Sequence, residues 1–173
     1  GGIRSTTDVK DLLHSGADKI SLNSAAIARP ELISEICHNF GSQVIVLSLD
    51  VLEDASFKSG YVVTTHGGRE KTNLDLVDWI TTASERGIGE ILLNSIDSDG
   101  TQKGFNLPLI ELVRSVTDVP IIASGGAGSA QDFVPASTAG ADAALAASIF
   151  HNGQISIADV KTDLSQAGVM VRL

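Results

Sequence analysis

Three groups of residues in this chain could form a site. Asp50 follows the apolar run Val44–Leu49, so a carboxylate stands where a buried strand emerges. There it serves as a general acid or base, or else caps the turn that follows. Ser124, Gly125, Gly126 and Gly128 follow Val119–Ile122, and Ser148 ends a small-residue stretch from Asp142 to Ala147. Glycines at a strand end let bare backbone N–H groups approach a ligand, and hydroxyls add further donors. That combination suits a phosphate. Asp97, Asp99, Gly100 and Thr101 follow a third strand-like run, Glu90–Ser95. Two carboxylates two residues apart, with no closing glutamate, supply too few ligands for a calcium loop. A catalytic or substrate-orienting loop is the better reading, and no metal site is expected.

The glycine turn recurs. Gly1, Gly2, Ser5, Asp8, Gly16, Ala17, Asp18 and Ser24 match Gly125, Gly126, Ser129, Asp132, Gly140, Ala141, Asp142 and Ser148 at one offset, 125 − 1 = 148 − 24 = 124. Small residues recur by chance in a chain with 17 glycines, but eight identities in one register favour an internal duplication. Two matching turns imply a ligand with two phosphates.

Helices and strands must position these groups. Ser5 caps a helix over Thr6–Ser15, ended by Gly16, and Lys19–Asn23 reads as a strand. A helix starts near Pro30 and buries Leu32, Ile33, Ile36, Cys37 and Phe40. The next strand runs from Gln43 to Leu49 and is closed by Asp50. A two-stranded insertion over 51–71 ends in the glycine turn of THGGR, and Asn73 caps a helix over Leu74–Arg86 that packs Trp79. Glu90–Ser95 is a strand, and Asn106 and Pro108 start a helix through Val116. Pro135 demands a kink or a late start in the helix after Ser129, since an interior proline costs ~3 kcal/mol. Ser156 caps the last helix, Ile157–Gln166.

Strict alternation of helix and strand means parallel strands with right-handed crossovers. No dinucleotide fingerprint lies between a strand and a helix. Instead Asn23, Asp50, Asn94, Ser124 and Ser148 all sit at carboxyl ends of strands, as in a (β/α)8 barrel. A counterpart of Asp50 would fall at 50 − 124 = −74, so the chain reads as the remainder of a longer protein. Lys19 and Glu90 stand at amino ends, either as a charged layer at the barrel floor or as a plain ion pair. Cys37 reads as a small core residue. His14 and His38 read as solvated. His66 either touches substrate or serves the turn.

A hydrophobic content of 43% with 19% charged residues indicates a globular chain. A net charge of −9 argues against nucleic acid. One cysteine excludes an internal disulfide and fits a reducing, cytoplasmic setting. No membrane segment or signal peptide is visible.

GADKISLNSAA, THGGR, GEILLNSIDSDGT, PIIASGGAG and GADAALAASIFH together resemble the cyclase-subunit family of imidazole glycerol phosphate synthase, along the whole chain. The resemblance implies a (β/α)8 barrel with no metal or cofactor, paired with a glutaminase subunit as a heterodimer. It implies that ammonia from that partner is joined to a bisphosphorylated ribulosyl-formimino aminoimidazole carboxamide ribotide. Imidazole glycerol phosphate and aminoimidazole carboxamide ribotide would be the products. Gly2, Asn23 and Ser24 would hold one phosphate, and Gly100, Gly125, Gly126, Ala147 and Ser148 the other. Asp50 would be the general acid, with Asn94, Asp99, Thr101 and Ser124 lining the substrate. Lys19 and Glu90 would belong to an ammonia gate, and Asp18 to the glutaminase-docking face.

The family's second catalytic aspartate and a loop lysine match no position here. The expectation is therefore an N-terminally truncated, single incomplete α/β domain over residues 1–173. It would be a partial barrel of strands 4 to 8 with helices 3 to 8, lacking strands 1 and 2 and most of 3, and inactive alone. Two other readings stay open, a non-catalytic bisphosphate-binding part-barrel and a phosphoribosyl-formimino isomerase of the same fold.

Overall fold

The structure, a computed structural model, describes residues 2–172. Four of its helices start where a side chain satisfies free N–H groups of the first turn. The Ser5 hydroxyl accepts from the Asp8 amide, and the Asp8 carboxylate accepts from the amides of Arg4 and Ser5. That capping box opens α1 (Thr6–His14). There follow β1 (Ile20–Leu22), α2 (Ser24–Ala28) and α3 (Glu31–Phe40). Next come β2 (Ile45–Glu53), β3 (Tyr61–Thr65) and β4 (Glu70–Asp75). Then α4 (Leu76–Glu85), β5 (Glu90–Ser95), α5 (Leu107–Val116) and β6 (Ile121–Ser124) alternate. The described chain closes with α6 (Phe133–Thr138), β7 (Ala143–Leu145), α7 (Ser148–His151) and α8 (Ile157–Gln166).

All seven strands belong to one sheet. The parallel path runs β1, β2, β5, β6, β7, so their carboxyl ends open on one side. On one edge of β2, Ile45–Leu47 pair with β1 and Asp50–Glu53 pair antiparallel with β3. On the other edge β5 runs in register from Val46 to Val51. Alternation then sorts the side chains of β2. Ile45, Leu47, Leu49 and Val51 are buried in a core that includes Leu32, Ile33 and Ile36 of α3, Ile80 of α4 and Val113 of α5. Val46, Ser48 and Asp50 face the other way and are half-buried.

Several expectations are corrected here. The partial barrel of strands 4 to 8 counted five strands, whereas the sheet has seven. The stretch after Asp50 is no appendage. β2 runs three residues past Asp50, and β3 and β4 extend the same sheet, so Asp50 lies inside a strand with neighbours on both edges. Asn73 does not cap α4, because β4 continues through it to Asp75 before the helix begins. Asp75 caps α4 instead, accepting from the amides of Val77 and Asp78. The short helices α2 and α7 begin at Ser24 and Ser148, and neither was among the helices expected from sequence. Pro135 sits in the first turn of α6, after a 3-10 turn at Ala130–Asp132, so the helix starts late rather than kinking.

Asp75 also accepts from the Ser59 amide at 2.7 Å and so ties the β2–β3 connection to the start of α4. Burial works to raise its pKa, but hydrogen bonds from Ser59, Val77 and Asp78 outweigh it and hold the carboxyl below its ordinary value. A depressed carboxyl stabilises the fold above its unfolded value, about 4, and that contribution fades as pH falls through the folded value. Asp75→Ala should cost ~1–3 kcal/mol at pH 7. In urea titrations from pH 7 to pH 3, its deficit against the parent should narrow below about pH 4.

Candidate active site at the strand ends

The carboxyl ends of β1 and β2 open into a cleft of about 270 Å³ lined by Gly2, Ser21, Asn23, Ser24, Ser48, Asp50 and Gly67, among others. The ends of β6 and β7 open into a second, of about 160 Å³, lined by Asp99, Gly100, Ser124, Gly125, Gly126, Leu145, Ala147 and Ser148 among others. Parallel pairing puts both clefts on the same end of the sheet, with β5 between β2 and β6.

The two clefts are built alike. Ser129 and Asp132 form the same capping box as Ser5 and Asp8, and the Asp132 carboxylate accepts from the amides of Gly128 and Ser129 at 2.8 Å each. Gly2 and Gly126 have φ of 92° and 103°, and Gly16 and Gly140 100° and 110°. Asn23, before α2, has φ −135° and ψ −92°. Ala147, before α7, has φ −115° and ψ −72°. The repeat seen in sequence thus recurs in backbone conformation at every one of these pairs. Gly1, its first member, lies outside the described residues.

Asp50 lines the first cleft, and side-chain amides hold both of its oxygens. Asn23 Nδ2 donates to one at 3.0 Å and Asn94 Nδ2 to the other at 3.1 Å. Register explains Asn94, which stands directly opposite Asp50, with Ser124 opposite Asn94 in turn. Asn23 Nδ2 also meets the Thr64 carbonyl at 3.3 Å, and a carbonyl oxygen can only accept. That fixes which end of the Asn23 amide faces Asp50. Asn23 Oδ1 is buried without a partner among the described residues. The Thr64 hydroxyl donates to the Asp50 carbonyl at 2.7 Å, closing the cluster. Held at both oxygens, the carboxylate is fixed in one orientation beside a cleft, the geometry that proton transfer requires.

Other expected residues lie elsewhere. Asp97 accepts from the Glu53 amide at 2.8 Å and fixes the end of β2. Thr101 is exposed, with its hydroxyl on the Ser98 carbonyl at 2.7 Å, and does not line the second cleft. Lys19 and Glu90 form an ion pair across β2 at its amino end, on the far end of the sheet from the clefts. Asp18 is exposed beside them. Thr64, Ser48 and Gly67 were missed in the sequence. Ser48, two residues before Asp50, was legible from strand alternation, whereas Thr64 and Gly67 reach the site only through the β3–β4 pairing.

Parallel βα units that gather a fixed carboxylate and two donor-rich turns at one end of the sheet define a site-bearing α/β fold of barrel type. The family of histidine biosynthesis proteins matches residues 1–156. The imidazole glycerol phosphate synthase subunit HisF of Leifsonia xyli subsp. xyli is 60% identical over 172 residues, covering 99% of this chain and 68% of that protein. Its namesakes in Thermobifida fusca and Micrococcus luteus are 57% and 61% identical over 175 residues, with the same coverage. The chain belongs to the family of this HisF cyclase subunit, enzymes of histidine biosynthesis. Similarity along 99% of the chain, together with seven strands and eight α-helices among the described residues, overturns the expected partial barrel of strands 4 to 8. That expectation numbered the strands from the opening glycine turn and left β3 and β4 out of the sheet.

The twin turns differ in their surroundings. A Cβ on Gly126 would collide with the carbonyl oxygen of Gly104, whereas one on Gly2 meets nothing within 4 Å. Gly2→Ala should cost only the strain of a left-handed residue, ~1–2 kcal/mol. Gly126→Ala adds a backbone collision and should cost at least ~1–3 kcal/mol more. Thermal denaturation of the two variants side by side measures the difference.

Proposed function

We propose that this protein carries out the cyclase reaction of imidazole glycerol phosphate synthase on a bisphosphorylated ribulosyl-formimino aminoimidazole carboxamide ribotide. Ammonia from a glutaminase subunit is the second reactant, and imidazole glycerol phosphate and aminoimidazole carboxamide ribotide are the products. The observation that carries this reading is the pair of matching donor-rich clefts on one end of the sheet, with Asp50 between the turns. Gly2, Asn23 and Ser24 hold one phosphate. Gly100, Gly125, Gly126, Ala147 and Ser148 hold the other. Neutral backbone and hydroxyl donors suit this in a chain of net charge −9, where the overall field repels anions.

Clamped at both ends, the substrate lies across the sheet with its reacting centre over Asp50, Asn94 and Ser124, and Asp99 borders the second phosphate. Asp50 is the general acid, and Asn23 and Asn94 keep its carboxyl turned to the substrate. Thr101 lines the path only if its loop turns inward. The Lys19–Glu90 pair lies at the opposite end, where ammonia can enter without crossing the phosphate clefts. Asp18 beside it belongs to the docking face of the glutaminase. No helix among the described residues is long and apolar enough to cross a membrane, and the single cysteine supports a reducing, cytoplasmic setting.

In an ammonia-dependent assay with the bisphosphorylated substrate, Asp50→Asn should lower kcat at least ~100-fold with KM changed only a few-fold. Unchanged kcat would remove Asp50 from the chemistry. Ser24→Ala and Ser148→Ala should instead raise KM about 3- to 10-fold each, the loss of one hydrogen bond to an anion.

A further inference from the structure

The connection between β3 and β4 is an unusual hairpin turn. His66, Gly67 and Gly68 have φ of 55°, 69° and 81°, three consecutive left-handed residues. The Arg69 amide closes the turn on the Thr65 carbonyl at 3.1 Å. In one helical turn closed in this way, the leading N–H groups project together from its amino end. The first of them, on His66, donates to the Ser24 hydroxyl oxygen at 3.2 Å. The next two, on Gly67 and Gly68, meet no acceptor among the described residues. Gly67 itself lines the first cleft.

The turn is braced to keep this shape. His66 Nδ1 lies 3.0 Å from the Thr65 hydroxyl and 3.2 Å from a Glu70 carboxylate oxygen. Arg69 Nε donates to the His66 carbonyl at 2.7 Å. Just upstream, Thr64 is bonded to both Asn23 and Asp50. A histidine in the left-handed region is uncommon, and here its imidazole is occupied with holding the turn. The first cleft needs what the turn offers. Its own lining among the described residues includes the Asp50 carboxylate and no lysine, arginine or histidine; Arg4, Arg29 and His66 line the adjoining cavity that shares Gly2 and Ser24 with it. Neutral donors aimed at an anion add to what those side chains supply from one side. The second cleft gains its cover from the loop after β5, where the Gly104 amide donates to the Gly126 carbonyl and Gly100 lines the wall.

We propose that the β3–β4 turn completes the first anion subsite. The Gly67 N–H, with Gly68 behind it, donates to a phosphate-monoester oxygen held by Ser24 and Gly2. His66 is a positioning residue that acts through its amide on Ser24 and through its ring on the turn. This rests on the phosphate reading above but is separable from it.

Titration of the 15N-labelled protein with inorganic phosphate provides the test. The Gly67 amide proton should move downfield and saturate at the same concentration as the amides of Gly2 and Ser24. If Gly2 and Ser24 move while Gly67 and Gly68 stay, the turn is not part of the subsite, though the phosphate reading stands. If none of the four moves, both fall. Replacing His66–Arg69 by Asn-Gly keeps a hairpin through a type I′ turn and removes the donors. Phosphate affinity read at Ser24 should then weaken about tenfold, the loss of one charge-assisted bond, with affinity read at Ser148 unchanged. Equal affinity at Ser24 in parent and variant would overturn the proposal, and a variant that fails to fold leaves the parent titration to decide it.

Discussion

Everything at the site depends on the pairing of β2. Nine residues long, it is bonded along one edge by β5 and along the other first by β1 and then by β3. A carboxylate at a frayed strand end would sample several directions. Here the backbone beneath Asp50 is locked on both edges before any side chain acts. Asn94 arrives opposite because parallel register leaves it no other place, and Thr64 arrives because β3 folds back antiparallel. The Asn23–Asp50–Asn94 cluster is thus a product of register, with side-chain chemistry added to a scaffold that already aims it.

The second organising constraint is repetition. One way of leading into a helix, a glycine turn followed by a Ser-x-x-Asp capping box, serves near both ends of the chain. In each copy the aspartate accepts from the capping serine's amide and the amide before it, which fixes the entry to the helix, and the glycines ahead of the box line a cleft. The second copy is pressed against the loop after β5, where a Cβ on Gly126 would meet the Gly104 carbonyl.

Most of this was legible in the residues. Ser5, Ser156 and Asn106 announced their helices, and the constant offset between the glycine turns announced the paired clefts. What was lost concerned β-pairing. β2 runs through Asp50 because Val51, Leu52 and Glu53 gain a partner in β3, and no local signal reports a partner ten residues away. The same blindness put the α4 cap at Asn73. Asn73 and Asp75 are equally good caps by residue type, and what decides between them is how far β4 runs before the helix begins, which puts Asp75 on the Val77 and Asp78 amides. The two strands of the insertion were legible as strands, and their place in the same sheet as the other five was not.

The lining of the first cleft has a consequence for discrimination. Side chains that recognise anions by net charge attract every anion alike, and salt weakens them. A pocket of amides and hydroxyls closed by glycine turns, with a carboxylate at its edge, responds to shape and lone-pair direction instead. Occupancy of such a pocket is governed by short-range fit, so a chloride ion without directional acceptors should compete poorly.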